Sequence, residues 1–157
     1  MNDFYTSPEL SRELADAGLS QVMRVMRWHM DVDPPSPNAR AIFDQADKII
    51  PGLKDVIFNG PAEKLTSTAF CQPAIFTYSL AALKAFQAHP KAKSLEPKFA
   101  CGLSLGECTS LVATGALLFA EGLKLVERRA SFMEEAAKIK KGAMAAVIGM
   151  DKDKVIE

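Results

Sequence analysis

The chain is 157 residues long, 48% apolar and 24% charged, and its formal net charge is zero. That is enough chain for one domain with a real core, or one domain and part of another, at a composition ordinary for globular proteins. No global field recruits nucleic acid or an anionic membrane, no apolar run is long enough to span a bilayer, and the start lacks the basic-then-apolar layout of a secretory signal.

The first segment, Met1 to about Val32, reads as short helices. Ser7 is an N-cap with Pro8 at the first helical position. Gly18 interrupts, and Val22, Val25 and Met26 share the face of a second helix flanked by Arg24 and Arg27. Trp28 and His29 read either as cover for apolar area in a partly ordered end or as a partner surface. Asp33-Pro34-Pro35-Ser36-Pro37 then breaks regular structure, because proline removes donors and restricts its predecessor. Residues 1–37 are therefore set apart as an unassigned leader and Pro-rich linker.

Beyond that boundary Ala39 to Ile50 is expected to be helical, with Ile42, Phe43, Ala46, Ile49 and Ile50 in one stripe and Pro51-Gly52 as the stop. A short helix near Leu53 to Phe58 ends at Asn59-Gly60. Gln72-Pro73-Ala74 opens the next helix, with Pro73 in its first turn. It runs through Ile75, Ser79, Ala82, Leu83 and Phe86 and ends before His89-Pro90. Lys91 to Lys98 reads as a solvated connection rather than a patch for nucleic acid. Phe99 to Leu103, short, apolar and bounded by turn signals, is expected to be a buried strand. A helix from Leu105 to about Phe119 is expected to turn Leu111, Val112, Gly115, Leu118 and Phe119 inward. Another runs from about Glu121 to Lys140. After Gly142, Ala143 to Ile148 reads as a further strand.

The cysteines are Cys71, Cys101 and Cys108, an odd number with no C-x-x-C or Cys/His cluster. Neither a disulfide framework nor a metal site is indicated, and free thiols fit a reducing cytoplasm. Cys101 and Cys108 read as buried small hydrophobes.

Gly102-Leu103-Ser104-Leu105-Gly106 has the G-x-S-x-G spacing of a nucleophile elbow, in which a strand turns sharply into a helix and lifts a serine oxygen clear of the backbone. Both glycines are expected where a Cβ would collide with neighbouring backbone. The helix after Ser104 aims free N–H groups and its positive dipole end at the reacting oxygen, so the Leu105 N–H is an oxyanion donor. A structural Gly-Ser turn is the alternative.

On the helix from Glu121, the inward stripe is expected to be Gly122, Leu125, Val126, Arg129, Phe132, Met133 and Ala136, with Arg129 at its centre. An inward guanidinium keeps its charge and needs an anionic partner. That partner is either a substrate carboxylate held bidentately or an internal salt bridge, unless the side chain snorkels to the rim. A serine also needs a base. The histidines are His29 and His89, neither placed like the end of a core strand, and no histidine follows Ser104.

From about Asn38 to Glu157 the sequence resembles the malonyl-CoA:acyl carrier protein transacylase family. The stretches that carry the resemblance are Ala39 to Asp47, Gln72-Pro73-Ala74, Gly102 to Glu107, Leu125 to Arg129, and Gly142 to Gly149, in this order and spacing. The resemblance implies a helix-rich α/β fold. Residues 38–141 would be part of the larger α/β-hydrolase-like subdomain, and residues 142–157 the start of a small ferredoxin-like one. It implies that Ser104 accepts the malonyl group, that the Leu105 N–H is an oxyanion donor, and that Arg129 pairs with the malonyl carboxylate. The substrate would be malonyl-CoA and the acceptor the phosphopantetheine thiol of acyl carrier protein. No cofactor, metal, nucleic acid or membrane is implied, and the setting would be the cytoplasm.

The sequence also departs from the family. Leu103 stands where many members have histidine, a known variant, while Cys108 replaces a common tyrosine and Ala130 a common glycine. The family's opening strand and G-Q-G-[SA]-Q loop have no counterpart, and the family's catalytic histidine would lie beyond Glu157. The expectation is thus roughly the first half of the enzyme, with exposed strand edges and little or no turnover alone. The alternative is a non-catalytic fragment acting only with a complementary chain. A serine esterase is disfavoured by Arg129 and by the lack of a following Asp/Glu–His pair.

Overall fold

The computed structural model describes residues 37–88, 90–92, 97–139, 147, 149–150 and 153–154. The expected lead helices, Trp28 and His29 lie outside the described residues. So does all but Val147 of the expected Ala143–Ile148 strand.

Helix α1 spans Pro37–Ile49 and buries Ala39, Phe43 and Ala46; of the expected stripe Phe43 and Ala46 are buried, while Ile42, Ile49 and Ile50 are half-buried against the core. Gly52, at φ +83°, turns the chain into α2, Leu53–Asn59, whose Leu53 and Val56 are buried. That conformation is open to glycine and strained for residues with a Cβ. Helix α3, Ala62–Thr66, is absent from the sequence reading, since five residues are too few to show a period. Its Leu65 joins the core.

Helix α4 spans Thr68–Ala88 with Pro73 inside it, so it starts more than a turn before the expected Gln72-Pro73-Ala74 opening. Local bonding accounts for the extension. The Ser67 carbonyl accepts from the Phe70 N–H at 3.1 Å and the Cys71 N–H at 2.8 Å. The Lys64 ammonium also sits 4.8 Å over the Phe70 ring. The N–H that Pro73 lacks removes one bond near the helix start, and its ring is fully buried. A 3₁₀ turn at Pro90–Ala92 follows.

The expected buried strand at Phe99–Leu103 does not form. Residues 97–102 have no regular structure, and Phe99 and Leu103 are 93% and 91% exposed. A strand needs a ladder partner, and the described residues supply none. Helix α5 spans Leu105–Ala113 rather than reaching Phe119. Gly115, at φ +79°, ends it instead of packing inward, with its N–H on the Val112 carbonyl at 3.1 Å. Of the side chains expected inward, Leu111 and Leu118 are exposed. Val112 packs on the core, and the Phe119 ring stacks 5.9 Å from Phe76.

Helix α6, Phe119–Ile139, buries Gly122, Leu123, Val126 and Ala130. This face is rotated from the expected one: Leu125, Phe132, Met133 and Ala136 are exposed. Gly122 explains the rotation. A Cβ there would fall 2.5 Å from Val112 Cγ2 and 2.8 Å from Phe76 Cζ, so the bare glycine lets α6 press against α4 and α5. Helix α4 is the hub, packed on α1, α5 and α6. The core centres on Phe76, Leu53, Leu123 and Val126, each worth about 1.5–3 kcal/mol when fully buried. No helix among the described residues is long and apolar enough to cross a membrane.

Candidate active site

Three helices converge on the elbow. Ser104 stands at the head of α5, Gln72 near the start of α4, and Arg129 midway along α6. Ser104 has φ 55° and ψ −106°, and is the one non-glycine residue at positive φ among those described. Such a conformation stores about 1–3 kcal/mol, and the surrounding bonds hold it. The Ser104 N–H donates to Glu107 Oε1 at 3.2 Å. The Gly106 N–H donates to the Leu103 carbonyl at 2.9 Å and the Glu107 N–H to the Ser104 carbonyl at 3.2 Å. Glu107 thus reaches back over the first turn, a role its position three residues after a serine foretells but which the sequence reading leaves out.

The two motif glycines differ. A Cβ on Gly102 would lie 2.3 Å from the Gly106 carbonyl carbon and 2.6 Å from its Cα. At Gly106 the same construction meets nothing within 4 Å, so the expected collision at the second glycine is corrected. Strain at Ser104 has a direct measure. Ser104→Gly is expected to be more stable than Ser104→Ala by about 1 kcal/mol, because glycine accepts positive φ and alanine does not. Equal midpoints in denaturant unfolding would mean the turn is unstrained.

The Leu105 N–H, at the positive end of α5, has no acceptor among the described residues. The Arg129 Nη2 donates to Ser104 Oγ at 2.6 Å. Its Nη1 donates to Gln72 Oε1, and Gln72 Nε2 approaches Met133 Sδ at 3.3 Å. The structure therefore brings all three expected site residues together. It moves Arg129 from the centre of the buried stripe to its half-exposed edge, for the rotation of α6 carries the guanidinium to the rim. Neither partner of the guanidinium is an anion, so the internal salt bridge left open by the sequence is not formed among the described residues. The sequence reading gives Gln72 no site role; its signals are its place before Pro73 and in one of the stretches that carry the family resemblance.

The thiols contribute little. Burial pushes Cys71 up, so it stays protonated. Cys108 packs on the core but is half-buried rather than buried, and Cys101 is exposed, because nothing described covers the Phe99–Leu103 stretch. His29 and His89 lie outside the described residues. Among those described, no group of three His, Cys, Asp or Glu is placed to hold a metal ion. An open cleft of about 510 Å³, lined by Ile75, Ser79, Cys101, Leu103 and Thr109 among others, adjoins the elbow. Neither Ser104 nor Arg129 lines it.

The model of the acyl transferase domain matches residues 34–156. The malonyl CoA-acyl carrier protein transacylase of Bacillus subtilis (strain 168) is 45% identical over 116 residues, which cover 73% of this chain and 35% of that protein. The protein of the same name from Escherichia coli O157:H7 is 45% identical over 92 residues, 59% of this chain and 29% of its own. Among solved structures, the acyl-carrier-protein S-malonyltransferase of Burkholderia pseudomallei 1710b aligns with TM-score 0.65 at 31% identity, covering 83% of this chain and 41% of that one. The malonyl CoA-acyl carrier protein transacylase of Clostridium perfringens ATCC 13124 aligns with TM-score 0.62 at 31% identity, covering 77% and 37%. The chain spans about a third of the length of the curated relatives it matches. With a strained serine at a G-x-S-x-G turn and a family model that takes in the helices around it, the chain belongs to the acyl transferase domain family.

Proposed function

We propose that this chain carries the acyl-accepting site of a malonyl-CoA:acyl carrier protein S-malonyltransferase of fatty acid synthesis. The observation that carries the reading is the Arg129 guanidinium on Ser104 Oγ at 2.6 Å, a fixed cation beside a strained serine with no anion among the described residues to neutralise it. The names and likeness of the relatives support the same substrates.

In this mechanism Ser104 Oγ attacks the thioester carbonyl of malonyl-CoA while its proton leaves to a base. The carbonyl oxygen becomes an oxyanion facing the Leu105 N–H and the α5 dipole. Collapse expels coenzyme A as the thiolate, which takes a proton, and leaves a malonyl ester on Ser104. The phosphopantetheine thiol of acyl carrier protein then attacks that ester and Ser104 regains its proton, a ping-pong sequence. Arg129 reads the acyl group, since its fork matches a carboxylate and finds nothing to pair with on acetyl. The described helices belong to the larger, α/β-hydrolase-like subdomain, and residues 142–157 to the start of a ferredoxin-like one. The proposed setting is the cytoplasm, without a cofactor.

Among the described residues there is no histidine, and Ser104 Oγ meets the Arg129 guanidinium rather than a base. Serine enzymes lacking a triad member keep only about 10³–10⁴-fold over water. Intact-mass measurement of the purified chain with malonyl-CoA is therefore expected to reveal one slowly formed malonyl adduct, absent from Ser104→Ala, and little transfer onward. An adduct that persists in Ser104→Ala would reject Ser104 as the acceptor.

A second reading, in which the chain acts only with a complementary polypeptide, is favoured by the exposure of Phe99, Leu103, Leu118 and Phe132. Rapid multiple turnover by the chain alone would exclude it.

A further inference from the structure

Uncharged oxygens hold both arms of the Arg129 fork: Nη2 donates to Ser104 Oγ at 2.6 Å and Nη1 to Gln72 Oε1. A guanidinium only donates, so Gln72 must turn its amide oxygen toward it, which leaves Nε2 facing the weak acceptor Met133 Sδ at 3.3 Å. The residue is also pinned along the chain, because it precedes the buried ring of Pro73 in α4.

We infer that Gln72 is a positioning residue that anchors Arg129 for carboxylate recognition without cancelling its charge. The inference rests on the reading of Arg129 as the malonyl contact. A glutamate at position 72 would accept the same bond, yet it would form an ion pair and spend the positive charge internally. An apolar residue would spare the charge and lose the anchor. The amide does neither.

The geometry gives the anchor a task. In a malonyl ester on Ser104 the distal carboxylate carbon is three bonds from Oγ, and a charge-assisted contact adds about 2.8 Å beyond the carboxylate oxygen. Nη2 cannot keep its 2.6 Å bond to Oγ and also clamp that carboxylate in two places. It gives up Oγ and turns outward, while Nη1 stays on Gln72. Gln72 is thus the pivot about which the guanidinium turns from Ser104 Oγ to the acyl carboxylate.

The test uses the full chain as wild type, Gln72→Leu and Gln72→Glu, the second nearly isosteric with the native residue so that folding failure of the first does not end it. Calorimetry gives the affinity for malonyl-CoA and for acetyl-CoA, and nitrogen-15 spectra report rotation of the Arg129 guanidinium. Wild type is expected to prefer malonyl-CoA. Each variant is expected to lose about tenfold in malonyl-CoA affinity, with acetyl-CoA held within about twofold. Guanidinium rotation should be freed in Gln72→Leu and stay slow in Gln72→Glu, a split that a merely structural residue would not produce. If wild type prefers neither ligand, or binds neither, the carboxylate reading of Arg129 fails and this inference falls with it. If wild type prefers malonyl-CoA and both variants keep that preference, or weaken both ligands equally, the anchoring role of Gln72 alone is overturned.

Discussion

Gly102→Ala is expected to destabilise the chain by about 3 kcal/mol or more, while Gly106→Ala stays within about 1 kcal/mol of wild type. The motif treats the two glycines alike, but their surroundings do not. A methyl group at position 102 would sit 2.3 Å from the Gly106 carbonyl carbon and 2.4 Å from its oxygen. Those are backbone atoms, tied into the first turn of α5 by the Gly106 N–H bond to Leu103 at 2.9 Å, so no rotamer change relieves the overlap. Either the turn opens, which lets Ser104 leave its positive φ, or α5 shifts as a unit. At position 106 the methyl enters open space within the helix, where alanine is the better helix former. Denaturant unfolding of both variants checks the contrast. Equal losses would mean that motif chemistry, not the close approach at Gly102, sets the requirement.

Arg129→Ala is expected to lower affinity for malonyl-CoA by about 10- to 100-fold while leaving acetyl-CoA nearly unchanged, the range of one hydrogen bond to a charged group. The side chain lies at the rim of the helix packing, half-exposed and paired among the described residues only with neutral oxygens, so its removal leaves neither a buried void nor an orphaned anion there. Stability should move little, which separates recognition from folding. Arg129→Lys should recover only part of the preference, since an ammonium lacks the planar fork. Competition binding of the two thioesters gives the ratio directly. An unchanged ratio in Arg129→Ala would remove the carboxylate role and with it the structural argument for malonyl as the acyl group.

Helix stripes with strong local punctuation were legible from residues alone. Phe43 and Ala46 lie one turn apart with Pro51-Gly52 behind them, and α1 folds with those residues buried. Gln72-Pro73 was legible as helical and misplaced as a start, because the bonds to the Ser67 carbonyl that extend α4 leave no compositional mark. The inward stripe of α6 failed for another reason. Leu125, Phe132 and Met133 are apolar and periodic, but periodicity marks which residues share a face, not which neighbour presses closest. Gly122, the smallest residue on the helix, decided that by admitting Val112 and Phe76. The Phe99–Leu103 stretch has a strand's composition and no strand partner among the described residues, and a ladder is a property of two segments.

By itself the sequence determined the elbow, because G-x-S-x-G joins a steric requirement at Gly102 to a helix start at Leu105 within five adjacent residues. It also carried the family, through motifs whose order and spacing survive in one dimension. Only the tertiary structure decided what stands beside Ser104. Arg129 and Gln72 are 25 and 32 residues away along the chain; Arg129 meets the serine and Gln72 meets Arg129 because α6 and α4 pack against α5 at a bare glycine. Which oxygens hold a guanidinium depends on how far a helix rotates about its own axis, and close packing between helices sets that angle.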